Sequence, residues 1–347
     1  MQIARRIPQT NYQLYVGVVI GLLCSLSLNE IFRSSIITWK NSETGKVTKF
    51  TSEGNTVSTI PAKNSSLHEN IRVLCWVLTY PKNHRTQAIH VKRTWGKRCD
   101  KLLFISSQED SVIDAVVVPG AGDGRDWLWG KTKGALKYAW EHHKEEFDWI
   151  MKADDDTYVV VDNLKKFLSN YSNKDPIFFG CQFSSKEIPF WTSGGAGYVL
   201  SKEALRRFVL DGLPHSENCR EGHAGSEDAE LANCLRRVGV TLEDSRDSSG
   251  RHRFLAFTPV DHLFPRILTD DDNKYWYRND LTYPQVQGMD CCANDAISFH
   301  YISDRQMYVL EYFLYHIRPA GVDREQEYVQ ELPLQYEEVT STTTKPK

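Results

Sequence analysis

Three consecutive carboxylates, Asp154, Asp155 and Asp156, stand directly behind the apolar run Trp149, Ile150 and Met151 in the stretch WIMKADDDTY. Adjacent carboxylates repel one another, and at the end of a buried strand they need water or a cation to compensate them. On an extended backbone Asp154 and Asp156 point to the same side, where two carboxylates can share one hard divalent ion. A solvated acidic turn is the plain alternative. The Asp-x-Asp-x-Asp-Gly spacing of a calcium loop is absent. Position argues for a site, because ligands of open α/β sheets gather at the carboxyl ends of strands.

Two further places carry chemistry. Ser226-Glu227-Asp228 opens a helical pattern that runs through Leu231 and Leu235 to Gly239, with Ser226 at the N-cap and Gly239 after the last turn. Acidic residues in a first turn complement the helix dipole, and the same dipole keeps a carboxylate ready to accept a proton; capping alone does not separate the two roles. The other place is His300, in Ser298-Phe-His-Tyr301, although a lone histidine is more often structural than a ligand. Ser193-Gly-Gly-Ala-Gly197 gathers small residues where a backbone can approach a ligand. It has neither the Lys-Ser/Thr of a P-loop nor the spacing of a dinucleotide fingerprint. Dense aromatics at Tyr275, Trp276, Tyr277 and Tyr283 suit either a sugar-stacking surface or a core.

The elements that must hold these residues alternate. Val73 to Leu78 reads as a buried strand ended by Tyr80-Pro81, His84 to Trp95 as a helix, and Leu102 to Ile105 and Val112 to Val118 as strands. A helical period covers Trp127 to Phe147, with His142 and His143 about 100° apart on it and therefore unable to share a metal. After the Asp cluster come a helix through Leu164, Phe167 and Leu168, a short strand Ile177 to Phe179, and a helix Ser201 to Val209. This alternation predicts an α/β sheet with parallel strands at its centre.

The ends are different. Arg5 and Arg6 precede an apolar stretch from Leu14 to Leu28. Fifteen helical residues span about 22 Å, against a hydrocarbon core of roughly 30 Å. A cleaved signal peptide competes with an anchor, but no small-x-small cleavage site follows, which favours an uncleaved signal anchor with its basic end in the cytoplasm. The reading divides the chain into a cytoplasmic tail (1–11), a transmembrane anchor (12–32), a flexible stem (33–70), a lumenal domain (71–320) and a disordered tail (321–347). With 8 cysteines, one of them (Cys24) in the apolar stretch, seven remain for an oxidising lumen, so at least one thiol is left over. Asn64-Ser-Ser and Asn170-Tyr-Ser are N-glycan acceptor sequons. A net charge of -3 over 347 residues gives no sign of a nucleic-acid partner.

The segments RVLCWVLTYP, HVKRTWGKRC, KADDDTYV, SGGAGYVLSKEAL, EDAELANCL, DSRD and CCANDAISFHY occur in that order. From Arg72 to Pro319 the chain resembles the core 1 β1,3-galactosyltransferases, within the inverting β1,3-glycosyltransferases of GT-A fold. The resemblance implies a Golgi type II membrane enzyme that moves galactose from UDP-galactose to O3 of GalNAc on Ser or Thr of glycoproteins. It further implies Mn2+ held by Asp154, Asp156 and His300, and Asp228 as general base. Thr79, Arg93, Lys131, Asp154 and Asp155 would meet the UDP-sugar, and Glu227, Trp276, Gly195 and Tyr301 the acceptor. The implied disulfides are Cys75–Cys99, Cys219–Cys234 and Cys291–Cys292, with Cys181 left as the odd thiol; a homodimer is left open. The chain departs from the family pattern at Cys181-Gln182, Phe190-Trp191-Thr192, Ala229 and Trp276 to Tyr283, all on the expected acceptor side. Two related readings therefore compete: a β1,3-glycosyltransferase with another acceptor, and a non-catalytic chaperone of such an enzyme. A secreted sugar-binding module is weaker still, since it would not need Asp228.

Overall fold

The computed structural model describes residues 71–186, 188–264, 277 and 280–318. The expected tail, anchor, stem, Asn64, Trp276 and acidic C-terminal segment lie outside the described residues. Among the described residues no helix is long and apolar enough to cross a membrane.

Strand β1, Val73–Leu78, is buried along its whole length, as its unbroken apolar run requires. It lies in a seven-stranded sheet, beside the central strand β4, Trp149–Asp154, with β2, Lys101–Ser106, on its other side, and is parallel to both. One edge is β3, Ala115–Val117, shorter than the stretch from Val112 suggests because the preceding turn puts Asp114 at φ 56°. On the other side β4 pairs antiparallel with β9, Tyr198–Ser201, followed by β6, Ile177–Gly180, and β10, Thr241–Leu242. Only β9 runs against the rest, which gives the mixed, mainly parallel sheet expected of a GT-A-type domain.

Alternation along β4 splits its side chains between two layers. Trp149, Met151 and Ala153 face a core that includes Ile89, Val91 and Trp95, Leu164, Phe167 and Leu168 of helix Val161–Leu168, and Met307. Ile150 faces the opposite core, built from Trp129, Leu136 and Ala139 of helix Leu128–His143 and Leu231 and Leu235 of helix Glu227–Arg237. The expected helix from His84 to Trp95 is instead a series of short helical turns, Pro81–Asn83, His84–Ala88, Ile89–Arg93 and Trp95–Arg98. It breaks at Thr94, whose backbone leaves the helical region.

A second sheet is small but decisive for position. Strand β5, Tyr158–Val159, follows the Asp cluster and pairs antiparallel with β12, Ser298–Phe299, which also lies parallel to β11, Phe254–Leu255. The register Phe299↔Tyr158 carries the next residue, His300, back to the carboxylates.

Disulfides join Cys75 to Cys99, Cys219 to Cys234 and Cys291 to Cys292, and Cys181 is free and buried. Burial pushes the Cys181 thiol up to about 12 despite a hydrogen bond from Tyr277, so it stays protonated and unreactive at neutral pH. Asn170 is exposed, with its side-chain amide donating to the Phe167 and Lys166 carbonyls at the end of helix Val161–Leu168.

Helix Asp304–Glu311 docks through a buried charge. Glu311, wholly buried, takes Arg98 at 2.8 Å, Lys97 at 3.1 Å and the Tyr158 hydroxyl at 2.8 Å. Removing one member of such a group leaves buried charge uncompensated. Glu311→Ala is therefore expected to cost about 3–5 kcal/mol of unfolding free energy, read from denaturant titrations of the two proteins.

Candidate active site

The Asp cluster is a strand end followed by a turn. Asp154 is the last residue of β4, and the Thr157 amide donates back to its carbonyl at 3.1 Å. The Thr157 hydroxyl accepts from the Asp154 amide at 3.1 Å and donates to the Gly195 carbonyl at 2.7 Å. Trp95 braces the turn from below, its indole N–H donating to the Thr157 carbonyl at 2.9 Å. The turn keeps Asp154 and Asp156 on one side of the backbone.

His300 meets them there. Its Nε2 lies 3.2 Å from Asp156 Oδ1 and 3.8 Å from Asp154 Oδ2. Among the described residues these three form the one group whose ligand atoms, all within 4.8 Å of one another, could hold a metal ion. Two carboxylates and an imidazole suit a borderline-hard divalent ion, so the donor set fits the cation that the resemblance implies. The ring of Tyr301 stacks on His300 with centroids 3.9 Å apart and fixes its orientation. Gly195 leaves the room, since a Cβ there would overlap the imidazole.

Asp155 points the other way. It is buried, accepts from the Thr79 hydroxyl at 2.7 Å and from the Asn83 amide at 3.0 and 3.2 Å. Burial pushes its carboxyl up to about 7, against the pull of those donors and with help from its two Asp neighbours. Lys131, buried on helix Leu128–His143, donates to the Thr79 carbonyl at 3.0 Å, and burial lowers its pKa. Thr79, Asp155 and Lys131 thus converge beside the ends of β1 and β4. Arg93 ends the helical turn Ile89–Arg93 on the Trp95 side of the sheet.

Across the Gly-rich loop stands the first turn of helix Glu227–Arg237. Asp228 is half-buried; Oδ2 accepts from the Gly194 amide at 3.1 Å and Oδ1 from the Ala229 amide at 2.9 Å. Burial raises its pKa, and those two amides and the nearby Lys152 hold the rise back. Ser226 sits at the N-cap position but makes no side-chain cap bond. Glu227 turns inward, accepting from the Tyr198 hydroxyl at 2.6 Å and the Thr132 hydroxyl at 3.2 Å. Burial pushes it up to about 7, with Lys152 opposing and Asp228 adding to the rise.

Lys152 is the residue that sequence reasoning passed over. Its ammonium is buried beneath the site and donates to Asp154 Oδ1 at 2.6 Å and to the Gly194 carbonyl at 2.8 Å. Burial alone would lower its pKa; Asp154, Glu227 and Asp228 more than offset that and raise it, so it remains charged. The available signal was a lysine inside an otherwise apolar strand run, which must find an acidic partner.

The Fringe-like family matches residues 69–252. The chain is 45% identical over 269 residues, 76% of its length, to glycoprotein-N-acetylgalactosamine 3-beta-galactosyltransferase 1 of Xenopus laevis, of which the match covers 72%. It belongs to the Fringe-like family. Asp154, Asp156 and Asp228 fall inside the family match, whereas His300 comes from the strand beyond it. Chondroitin sulfate synthase 3 of Homo sapiens is 29% identical over 48% of this chain, a match that covers 20% of that protein. The galactosyltransferase LgtC, solved with donor and acceptor sugar analogs, overlays 71% of this chain and 97% of its own at a TM-score of 0.36 and 10% identity, too distant to weigh further.

The contact between Gly195 and His300 is open to test. Gly195→Ala is expected to push the imidazole away and weaken divalent-cation binding by about 10–100-fold, the range seen when a ligand loses its support. Titration with Mn2+ followed by its electron paramagnetic resonance signal reads the change; wild-type affinity would remove His300 from the ligand set.

Proposed function

We propose that this chain is an inverting galactosyltransferase that uses UDP-galactose and builds a β1,3 bond to GalNAc on Ser or Thr of glycoproteins, with Mn2+ as its metal. The observation that carries the reading is the pairing of the Asp154, Asp156 and His300 cluster with a half-buried Asp228 on the other side of one glycine loop. The 45% identity to the frog galactosyltransferase supports the donor and acceptor.

Asp154, Asp156 and His300 would hold the metal, which when bound neutralises charge on the departing diphosphate. Asp228 does the proton work. A carboxylate offers about four lone-pair sites, and the Gly194 and Ala229 amides occupy two. An acceptor hydroxyl can take another, and the pKa raised by burial brings Asp228 nearer to neutral pH, where a base is most effective. The acceptor oxygen then attacks the anomeric carbon as its proton passes to Asp228 and the bond to UDP breaks. One displacement inverts the configuration and needs no protein nucleophile. Thr79, Asp155 and Lys131 would line the nucleotide side, with Arg93 nearby, and Gly195, Tyr301, Glu227 and Trp276 the acceptor side. The basic end ahead of the Leu14 to Leu28 stretch, the three disulfides and the Asn170 sequon support a lumenal domain anchored in a Golgi membrane.

The test offers the purified full-length chain UDP-galactose and Mn2+ with a GalNAc peptide, beside unglycosylated peptide, GlcNAc and glycolipid. Label on the GalNAc peptide alone is expected; label on another acceptor would move the reading to a sister activity. No transfer from folded protein that binds UDP would favour the chaperone. Asp154→Ala with Asp156→Ala should abolish metal-dependent turnover in a protein that still folds. Asp228→Asn is expected to lower kcat by about 10²–10⁴-fold with UDP affinity near wild type. A large loss of UDP affinity would count against Asp228 as the base.

A further inference from the structure

We propose that Lys152 is a positioning residue that sets Asp154 and Asp228 together, through Gly194, so that one buried side chain aligns the metal-ligand and proton-accepting halves of the site. The inference rests on the reading of Asp228 as the base.

Four contacts run in line. The Lys152 ammonium donates to Asp154 Oδ1 at 2.6 Å and leaves Oδ2 facing His300. The same ammonium donates to the Gly194 carbonyl at 2.8 Å. The Gly194 amide donates to Asp228 Oδ2 at 3.1 Å. A Cβ on Gly194 would come within 3.5 Å of both Lys152 Nζ and Asp228 Oδ2 and 2.7 Å of Glu227 Oε2, so the three side chains converge on this one bare backbone position.

Other bonds hold the rest of the loop: the Ser193 amide donates to the Cys181 carbonyl at 2.9 Å, the Gly197 amide to the Gly194 carbonyl at 3.0 Å and the Ser298 hydroxyl to the Ala196 carbonyl at 2.5 Å. Ser193 Oγ accepts from the Ala196 amide within the loop, and Thr157 holds Gly195. From outside the loop, Gly194 is held by Lys152 from below and by Asp228 from the side. An ammonium on a flexible stem is a point donor with three N–H bonds, and here two of them bind groups from different elements. Without it the Gly194 carbonyl keeps only the Gly197 amide of its own loop, so the peptide that donates to Asp228 loses its anchor to the sheet. Donor binding, which depends on Thr79, Asp155 and the metal ligands, is not on this line beyond Asp154.

The experiment compares full-length wild type with Lys152→Met and Lys152→Gln. Two readouts are taken: steady-state kinetics with Mn2+, UDP-galactose and the GalNAc peptide, and amide hydrogen exchange of residues 193–197 with no metal added. For Lys152→Met a fall in kcat of at least 100-fold is expected with a rise of no more than about tenfold in the KM for UDP-galactose, because Asp228 loses its alignment through Gly194 while Asp154 keeps Asp156 and His300 beside it. Exchange of 193–197 should speed up at least tenfold. Lys152→Gln keeps a donor at the buried position but is too short to reach both Asp154 and Gly194, so it tests the link even if Lys152→Met does not fold. Its exchange at 193–197 should also speed up.

A folded Lys152→Met protein with kcat within threefold of wild type would overturn the proposal. So would wild-type exchange at 193–197 in Lys152→Gln. Should wild type itself transfer no galactose, the proposed function fails on that result, and the exchange of the two variants still decides whether Lys152 holds the loop.

Discussion

The constraint behind the site is the crowding of five carboxylates, Asp154, Asp155, Asp156, Glu227 and Asp228, around the end of one buried strand. Two like charges 4 Å apart repel by about 4 kcal/mol at an effective dielectric constant of 20, and by more as water is excluded. Domain stability of about 5–15 kcal/mol cannot absorb several such terms. Each carboxylate therefore has its own remedy. Asp155 takes the Thr79 and Asn83 donors, Asp154 takes Lys152, Asp156 faces His300, Asp228 takes two backbone amides, and Glu227 takes two hydroxyls. Burial still pushes Asp155 and Glu227 up to about 7, which shows that the remedies only partly offset the desolvation.

The folding of the two sheets follows from placing those remedies. Asp154 must end β4 beside the end of β1, because Thr79 lies one residue beyond β1 and the register pairs Leu78 with Asp154. His300 must arrive from β12, about 140 residues later in the chain, and only the antiparallel pairing with β5 brings it to the turn. The bare backbone at Gly194 and Gly195 is equally forced: the loop threads between Lys152, Glu227 and Asp228 on one side and the His300 ring on the other. Side chains at either position would separate the halves that the site must bring together.

Much of this was legible in the sequence, and the exceptions share a cause. Strands such as Val73–Leu78 announce themselves by continuous apolar runs, and the helix through Leu164, Phe167 and Leu168 by its period, because burial on a regular element imposes regular patterns. The triplet of Asp residues announces itself by cost. Lys152 and Thr157 do not, because their roles come from contacts with residues about 40 positions away at Gly194 and Gly195. The broken helical segment from Pro81 to Arg98 was likewise out of reach of periodicity. Its irregular turns serve to bring Asn83 to Asp155 and Trp95 to Thr157. Ser226 shows the reverse error, a residue with the right type for a cap whose hydroxyl does not make the bond.

The middle aspartate shows how a run of identical residues can divide its labour. Asp155 faces away from its two neighbours, as alternation along a strand would have it. The turn at Asp154–Thr157 keeps that separation, and on the far side of the backbone Asp155 is captured by Thr79 and Asn83. Its bonds tie the end of β1 and the following turn to the same three residues that present Asp154 and Asp156 to His300. A carboxylate kept off the cation cluster thus fixes the backbone that carries the two on it. Shortening or neutralising Asp155 would loosen Asp154 and Asp156 from behind, even though it does not touch His300.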